Sequence, residues 1–250
     1  MSRKWLILIG VVVVFGLVLP VDAGWVMSER NGDSTLISRG RMKNVSKEFS
    51  WIMDGPGNEM IFYNSARKIY ARGTVEDYCT SISSMMKEAM EGIPDEQRQM
   101  MVQMMAKSKP GSPHTVSVVK AGAGEVVAGF KTEKYKVTVE DELYEELWLN
   151  SDSALMKDFK SLMPMLQKFS SCTAGLGMME TSPENSPEYL RLMQSGIVLK
   201  SVRYEGGNPE KETDIMKLEK RSIPDQEFKA PAGYRKLSFA EMMGSQMKME

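Results

Sequence analysis

Residues 125–149 read EVVAGFKTEKYKVTVEDELYEELWL, and this stretch decides the fold class. Apolar and polar residues alternate over Tyr135–Val139, which is the period of a strand with one buried face. The acidic run Glu140–Glu142 predicts a turn, and Leu143–Leu149 has the length and composition of a second strand. The pattern predicts an antiparallel hairpin, so a sheet must form the framework of this protein.

Further strand-length segments lie on both sides of this hairpin. They are Trp25–Glu29, Thr35–Arg39, Phe49–Met53, Glu59–Tyr63, Lys68–Ala71, Thr115–Val119, Glu125–Phe130, Ile197–Tyr204 and Thr213–Lys220. Clusters of Gly, Asn, Asp and Pro separate many of them, including Gly206–Pro209 before the last segment. The segments predict an antiparallel meander near the N-terminus and a closing hairpin near the C-terminus.

Helical periodicity occurs between these runs of strands. A helical insertion is predicted over residues 74–106, because Thr74 and Asp77 have the spacing of a capping box and apolar residues then recur on one face. A further helix is predicted over Leu155–Phe169, where Pro164 should kink or interrupt it.

Two shorter segments complete the helical pattern, a short helix over Pro187–Met193 and the stretch Phe239–Met247, which is apolar on one face. Strands before, between and after helices predict the α+β class. We expect a single domain over residues 24–250, with an antiparallel sheet that curves over the helices.

The N-terminus has the layout of a secretory signal. Two positive charges precede an apolar run over Trp5–Leu19, and Val21 and Ala23 suit the −3 and −1 positions of a signal peptidase site. The run is shorter than the roughly 20 residues that span a bilayer as a helix. We expect residues 1–23 to be a cleaved signal peptide and the protein to be periplasmic or secreted. Since no Cys follows the run, no lipid anchor is expected after cleavage.

The charge balance argues against one class of partner. The chain has 32 Lys and Arg against 33 Asp and Glu, a formal net charge of −1. Binding to a phosphate backbone requires a basic excess. We therefore expect no nucleic-acid partner.

Cys79 and Cys172 are the two cysteines of the chain. In an oxidising compartment two such thiols can pair, and the hypothesis is a disulfide between them. The alternative is two buried thiols, because free Cys is among the most buried residue types.

No pattern of catalytic or metal-binding residues emerges. His114 is the single histidine, in a Pro- and Gly-rich loop, and no Cys-x-x-Cys accompanies it. Gly122 and Gly124 lead into strands and lack the Gly-Lys-Ser/Thr of a phosphate loop. The acidic stretch Glu140–Glu146 could supply paired carboxylates, but a turn with solvated charges is the favoured interpretation. We expect a non-enzymatic protein without a cofactor.

Methionine is unusually frequent, with 23 residues. Three interpretations remain open: core residues at helical spacing, an adaptable apolar pocket, or a Cu(I) site built from thioethers. The residues that could bind copper are Met100, Met101, Met104 and Met105.

A family resemblance rests on three segments of the chain. Val126–Val137 holds a Gly-aromatic pair and a Lys-Tyr-x-Val strand, Glu146–Leu149 ends a strand in Leu-Trp-Leu, and Ile223–Tyr234 has the spacing of a closing strand with an aromatic seal. These segments resemble exported bacterial proteins of unknown function, which are similar to the periplasmic lipoprotein-carrier (LolA/LolB-like) superfamily. The resemblance implies an incomplete antiparallel barrel that wraps around helices and encloses an apolar cavity.

The expected ligand is a lipid, an acyl chain or a hydrophobic segment, and a protein partner is a further possibility. The candidate lining residues lie on apolar helical stripes that should face the sheet: Met86, Met101, Met105, Phe159, Leu162 and Leu166. The alternative function is a periplasmic Cu(I)-binding protein.

Overall fold

The computed structural model describes residues 23–91, 115–175 and 183–247, and a twelve-stranded sheet dominates this part of the chain. The strands are β1 (Ala23–Glu29), β2 (Ser34–Ser38), β3 (Arg41–Val45), β4 (Phe49–Asp54), β5 (Glu59–Asn64), β6 (Ile69–Gly73), β7 (Val116–Val127), β8 (Phe130–Val139), β9 (Glu142–Asn150), β10 (Ile197–Glu205), β11 (Asn208–Ser222) and β12 (Arg235–Leu237). Their order is β12-β6-β5-β4-β3-β2-β1-β11-β10-β9-β8-β7. Neighbours run antiparallel except β12 and β6, which are parallel, and the sheet does not close into a barrel.

Helices accompany this sheet. Within the described ranges they are α1 (Val75–Glu91), α2 (Ser153–Lys160), α3 (Met163–Gly175), α4 (Pro187–Ser195) and α5 (Phe239–Met247), with short 3-10 helices at Pro183–Asn185 and Asp225–Phe228. A large sheet with separate helices is consistent with the predicted combination of a curved sheet and helices, but the parallel pairing of β12 with β6 makes the sheet mixed and corrects the prediction of an antiparallel sheet.

Local sequence signals set the ends of three helices as predicted. The Thr74 amide donates to Asp77 Oδ2 at 2.8 Å and the Asp77 amide donates to Thr74 Oγ1 at 3.1 Å, so a reciprocal capping box begins α1. Pro164 lies in the first turn of α3, where its missing N–H group would have no helical hydrogen-bond partner in any case. The predicted helix is interrupted just before Pro164, between α2 and α3. Residues 92–106, the second part of the predicted helical insertion, lie outside the described residues.

Strand β3 was not predicted, and the predicted strand Thr35–Arg39 runs one residue too far. Arg39 and Gly40 both adopt positive φ, 51° and 72°, and form the two-residue turn between β2 and β3. Such turns favour Asn-Gly or Asp-Gly, so an Arg at the first position conceals the turn. The mostly polar sequence of β3 adds no apolar alternation that could reveal the strand.

Strand β7 corrects a second prediction, because Thr115–Val119 and Glu125–Phe130 were expected as separate strands. One continuous strand spans Val116–Val127, with register shifts between Lys120 and Gly122 and between Ala123 and Val126. β-Bulges of this kind keep a strand continuous where glycine interrupts the sequence pattern. The hairpin turn lies further on, at Ala128–Gly129, where both residues have positive φ.

Strand β11 joins two halves of the sheet. We call β1–β6 the N-terminal half and β7–β10 the C-terminal half. The first residues of β11, up to Asp214, pair with β10, and the residues from Ile215 to Ser222 pair with β1. A single long strand thus carries the hydrogen bonding from one half into the other.

Both faces of the N-terminal half are buried. The face toward the helices carries Trp25, Ile37, Met53 and Met60, whereas their chain neighbours Val26, Leu36, Ile52 and Ile61 face the other side. On the helical face, Leu155, Leu162, Phe239 and Met242 complete the main core. The opposite face is covered by the segment after β11, which contributes Ile223 and Phe228.

A third cluster packs Tyr189 and Leu192 of α4 against Val137, Leu147 and Leu149 in the C-terminal half.

Candidate functional site

An apolar cavity of about 290 Å³ lies where β4 and β5 meet α1, α3 and α5. Its lining consists of five aromatic residues and two methionines: Phe49, Phe62, Tyr78, Phe169, Phe239, Met242 and Met243. We call it the aromatic pocket. Its volume is near the lower end of the range of about 300–1,000 Å³ that is typical of small-molecule sites.

The aromatic rings form a connected wall. Phe62 is stacked on Phe49, with ring centroids 5.4 Å apart, and lies 5.3 Å from Tyr78. Tyr78 in turn lies 5.3 Å from Phe169 and 5.4 Å from Phe239, which it meets edge to face. Each pair is within the range of favourable aromatic contacts, so the wall is held by ring–ring packing as well as by burial.

A disulfide fixes two of the helices beside the pocket. Cys79 and Cys172 are bonded, with Cα atoms 5.9 Å apart, which confirms the predicted pairing and replaces the alternative of two free thiols. Cys79 follows Tyr78 on α1, and Cys172 lies one turn beyond Phe169 on α3. The covalent bond therefore holds together the two helices that supply Tyr78 and Phe169.

Helix α5 closes the pocket and is held at both ends. The Ser238 amide donates to Glu241 Oε2 at 2.8 Å and the Glu241 amide donates to Ser238 Oγ at 3.2 Å, which caps its N-terminus. Arg67 Nη1 donates to the Ser245 carbonyl at 2.6 Å near its C-terminus, where a positive charge favours the helix dipole. These contacts place Phe239, Met242 and Met243 over β5 and α1.

The pocket has a buried floor and a rim. Phe62, Phe239 and Met242 are buried, whereas Phe49, Tyr78, Phe169 and Met243 are half-buried. No charged side chain is among the lining residues that the structure describes. Burial raises the pKa of the Tyr78 hydroxyl, so this group is neutral at physiological pH.

Three of the six predicted lining residues have side chains that the structure describes, and they lie outside the aromatic pocket. Leu162 is fully buried in the main core, and Phe159 and Leu166 are half-buried against the same core. None of these three lines the aromatic pocket. The side chain of Met86, on α1, and both Met101 and Met105 are outside the described part of the chain. Phe159, Leu162 and Leu166 therefore lie in the helical layer but do not line this cavity.

Many of the described methionines are core residues. Seven of them are buried, namely Met27, Met42, Met53, Met60, Met156, Met165 and Met242. This placement favours the interpretation that methionine fills the irregular space between sheet and helices, which its flexible side chain suits. The candidate copper ligands Met100, Met101, Met104 and Met105, as well as His114, lie outside the described residues. No group of three or more His, Cys, Asp or Glu that could hold a metal ion occurs in the described ranges.

The acidic stretch Glu140–Glu146 is only partly solvated: Glu140, Asp141 and Glu142 are exposed, as expected, whereas the last two carboxylates are not. Glu145 and Glu146 are buried, with 4% and 8% of their surface exposed. Tyr189 donates its hydroxyl hydrogen bond to Glu145 at 2.9 Å, and Lys134 lies 2.9 Å from Glu146. Charged groups are tolerated in such positions when they are paired and hydrogen-bonded.

Glu145 belongs to a polar cluster, made of Tyr144, Glu145, Glu184, Tyr189 and Arg203, that anchors the segment containing α4. Glu146 and Lys134 lie on the other face of the sheet and are not part of it. Glu184 accepts a hydrogen bond from Tyr144 at 2.7 Å and forms an ion pair with Arg203, which also lies 3.9 Å from Glu145. Burial raises the pKa of Glu145, while the hydrogen bond from Tyr189 and the charge of Arg203 oppose that rise. Because its members bind one another, the cluster is best explained as the attachment of α4 to the sheet.

The described helices include none that is long and apolar enough to span a membrane.

Comparison with known proteins identifies the family of the chain. No curated protein matches the chain. The family match covers β3 through the segment after β11 and includes Phe49, Phe62, Tyr78 and Phe169, whereas the pocket residues of α5 lie beyond it. The chain belongs to the family described as Domain of unknown function (DUF4412), whose model matches residues 41–234.

Proposed function

We propose that this protein is a non-enzymatic binding domain that holds a hydrophobic ligand in the aromatic pocket. The observation that carries the proposal is the lining itself: seven apolar or aromatic side chains from five elements surround about 290 Å³. A well-formed apolar cavity with few polar groups is the usual form of a small-molecule site.

The energetics of the pocket favour an apolar occupant. Burial of hydrocarbon surface stabilises a complex by roughly 25 cal/mol per Å². The floor residues Phe62, Phe239 and Met242 are already excluded from water, so an occupant would bury the half-buried rim as well. Met243 on the rim has a flexible side chain that can adapt to ligands of different shape.

The proposed setting is outside the cytoplasm. The signal-like N-terminus motivates this location, and the Cys79–Cys172 disulfide supports it, because such bonds persist in oxidising compartments. The resemblance to periplasmic lipoprotein carriers is part of the same proposal and implies a lipid, an acyl chain or a hydrophobic segment as the ligand. In this account no side chain performs covalent chemistry. Copper binding by methionines remains the alternative prediction.

The direct test is native mass spectrometry of the purified protein, followed by organic extraction of what it carries. We expect a bound apolar molecule to appear as a mass above that of the bare chain. An adduct with the mass of copper, lost when Met100 and Met104 are replaced, would instead support the alternative function.

Two variants of the same type locate the binding to the pocket. Met243→Trp places a large ring at the rim and should abolish ligand uptake by filling the cavity. Met216→Trp is the matched control, because Met216 is 55% exposed on β11, outside the pocket lining. Uptake of the extracted ligand is measured by isothermal titration. Equal uptake by both variants would refute the assignment to this pocket.

A further inference from the structure

Tyr78 differs from every other residue in the pocket lining. Its hydroxyl is the one strong hydrogen-bonding group among the lining side chains that the structure describes, because the others are Phe and Met. Burial raises the pKa of Tyr78, and no hydrogen bond to the hydroxyl from a described residue contributes to this rise. The described residues thus leave a neutral hydroxyl, able to donate and accept, at the rim of an apolar cavity.

The charges that flank the rim in sequence are already paired. Glu76 precedes Tyr78 by two positions on α1 and forms an ion pair with Lys168, which precedes Phe169 on α3. Asp77 accepts the hydrogen bond from the Thr74 amide that caps α1. These contacts leave Glu76, Asp77 and Lys168 engaged in holding α1 and α3, so they do not supply a cation for a carboxylate or an anion for an amine.

The volume sets the size of the ligand. At roughly 30 Å³ for each group the size of a water molecule, about 290 Å³ holds about ten such groups. One unbranched hydrocarbon chain of medium length fits this space. A phospholipid with two long chains does not.

From these observations we infer that the ligand is a neutral amphiphile with a single apolar chain, whose hydroxyl or carbonyl group is hydrogen-bonded by Tyr78. The inference rests on the proposed function and narrows it, because it selects an uncharged polar group over a carboxylate or an amine. Among the described residues of α1 and α3 that flank this rim, a charged head would lose water without gaining a free partner of opposite charge, whereas a neutral head exchanges water for the Tyr78 hydroxyl.

The test is isothermal titration of the full protein at pH 8 with three probes of one chain length: 1-octanol, octanoate and octylammonium. We expect 1-octanol to bind at least tenfold more tightly than either ion. Tyr78→Phe keeps the ring and removes the hydroxyl, and it should weaken 1-octanol binding about three- to tenfold, the effect of one hydrogen bond. Tyr70→Phe is the matched control, because Tyr70 lies on the opposite face of the sheet, and its binding should be unchanged.

The outcomes separate the two proposals. If 1-octanol binds but Tyr78→Phe binds it equally well, or if octanoate or octylammonium binds as tightly, the inference about Tyr78 is overturned and the apolar pocket stands. If none of the three probes binds and Met243→Trp takes up the extracted ligand as well as the native protein does, the proposed function itself is overturned.

Discussion

The two halves of the sheet use their faces differently. The N-terminal half buries apolar residues on both faces, one under the helices and one under the segment after β11. The C-terminal half buries an apolar cluster under α4, while its other face contributes Trp148 to the main core and also carries charged pairs such as Lys134 with Glu146 and Lys200 with Glu125. Trp148 lies between Lys134 and Lys200, whose ammonium groups are 4.6 and 5.0 Å from its ring centroid.

This difference explains where the aromatic pocket forms. Helices laid across an apolar face leave irregular apolar spaces between themselves and the sheet, and such a space is the pocket between β4, β5 and the helices α1, α3 and α5. On the corresponding face of the C-terminal half, Trp148 lies among lysine–glutamate pairs, so charged side chains interrupt the apolar surface there. The stability of the N-terminal half and its helices should therefore depend mainly on the Cys79–Cys172 disulfide and the apolar core. The stability of the C-terminal half should depend more on polar contacts.

The largest effect should come from the disulfide. A variant with both Cys79→Ser and Cys172→Ser should lose about 3–5 kcal/mol of unfolding free energy, because the bond closes a loop with a sequence separation of 93. Urea denaturation followed by circular dichroism measures the loss. Ser84→Ala, an exposed position on α1, is the control, and a loss below 1 kcal/mol in the double variant would contradict the stated importance of the bond.

A somewhat smaller effect is expected at the core below the helices. Leu162→Ala should lower the unfolding free energy by about 3 kcal/mol, because the side chain is fully buried and its removal leaves a cavity. Leu166→Ala removes the same atoms from a half-buried position and should cost clearly less. The two variants are compared by urea midpoints at equal m-values, and equal losses would contradict the burial of Leu162.

A mid-sized effect should mark the polar contacts of the C-terminal half. Tyr189→Phe leaves Glu145 without its hydroxyl donor and should cost about 1–3 kcal/mol at pH 7. The raised pKa of Glu145 also fixes the sign of a pH effect. The folded protein takes up this proton before the unfolded chain does, so this group's contribution to stability rises as pH falls through the raised pKa and is complete below 4.5.

The measurement for this pH effect is the difference in unfolding free energy between the native protein and Glu145→Gln from pH 7 to pH 4. The native protein should gain stability relative to the variant as the pH falls. A constant difference would show that Glu145 titrates in the folded state as it does in the unfolded chain. The comparison isolates Glu145, because carboxylates with a lowered pKa, such as Glu146, change stability in the opposite direction in both proteins.

The smallest effect is expected from the charged face. Lys200→Met removes contacts to Glu125 at 2.7 Å and Glu212 at 3.3 Å, but both carboxylates are half exposed. Such a change should cost at most about 1 kcal/mol, and less in high salt, which screens the pairs. Thermal unfolding at low and high salt tests this. If Lys200→Met lost as much unfolding free energy as Leu162→Ala, the charged face would be as important for stability as the apolar core, which would contradict the proposed difference between the two halves.

Several elements were readable from local residue patterns, but strands β3 and β12 and the continuity of β7 were not. The Thr74–Asp77 capping box and the break at Pro164 follow from contacts within one turn of chain, so the sequence predicts them. Strand β3 and the continuity of β7 depend on how each strand pairs with its neighbours, which a turn with an unusual residue or a bulge conceals. The burial of Glu145 likewise depends on Arg203 and Tyr189, far along the chain.

The pocket was missed for a similar reason, although one signal pointed toward it. The predicted lining residues were chosen from helical stripes, whereas the observed lining combines strands with three helices. The Cys79–Cys172 pairing predicts that Tyr78 and Phe169 lie close together, because each of them is within one helical turn of a paired cysteine. Aromatic residues beside paired cysteines were therefore the signal from which this cavity could have been predicted.

The sequence by itself determined the type of each regular segment in which apolar residues recur with a fixed period, and it determined the cap at Thr74. Both depend on residues that are close in the chain. It also gave the hypothesis that the cysteines pair, because two cysteines allow few choices. Only the tertiary structure decided that Phe49, Phe62, Tyr78, Phe169 and the residues of α5 enclose one cavity. That meeting depends on sheet register and on how the helices dock, and both are set by packing between residues that lie far apart in the chain.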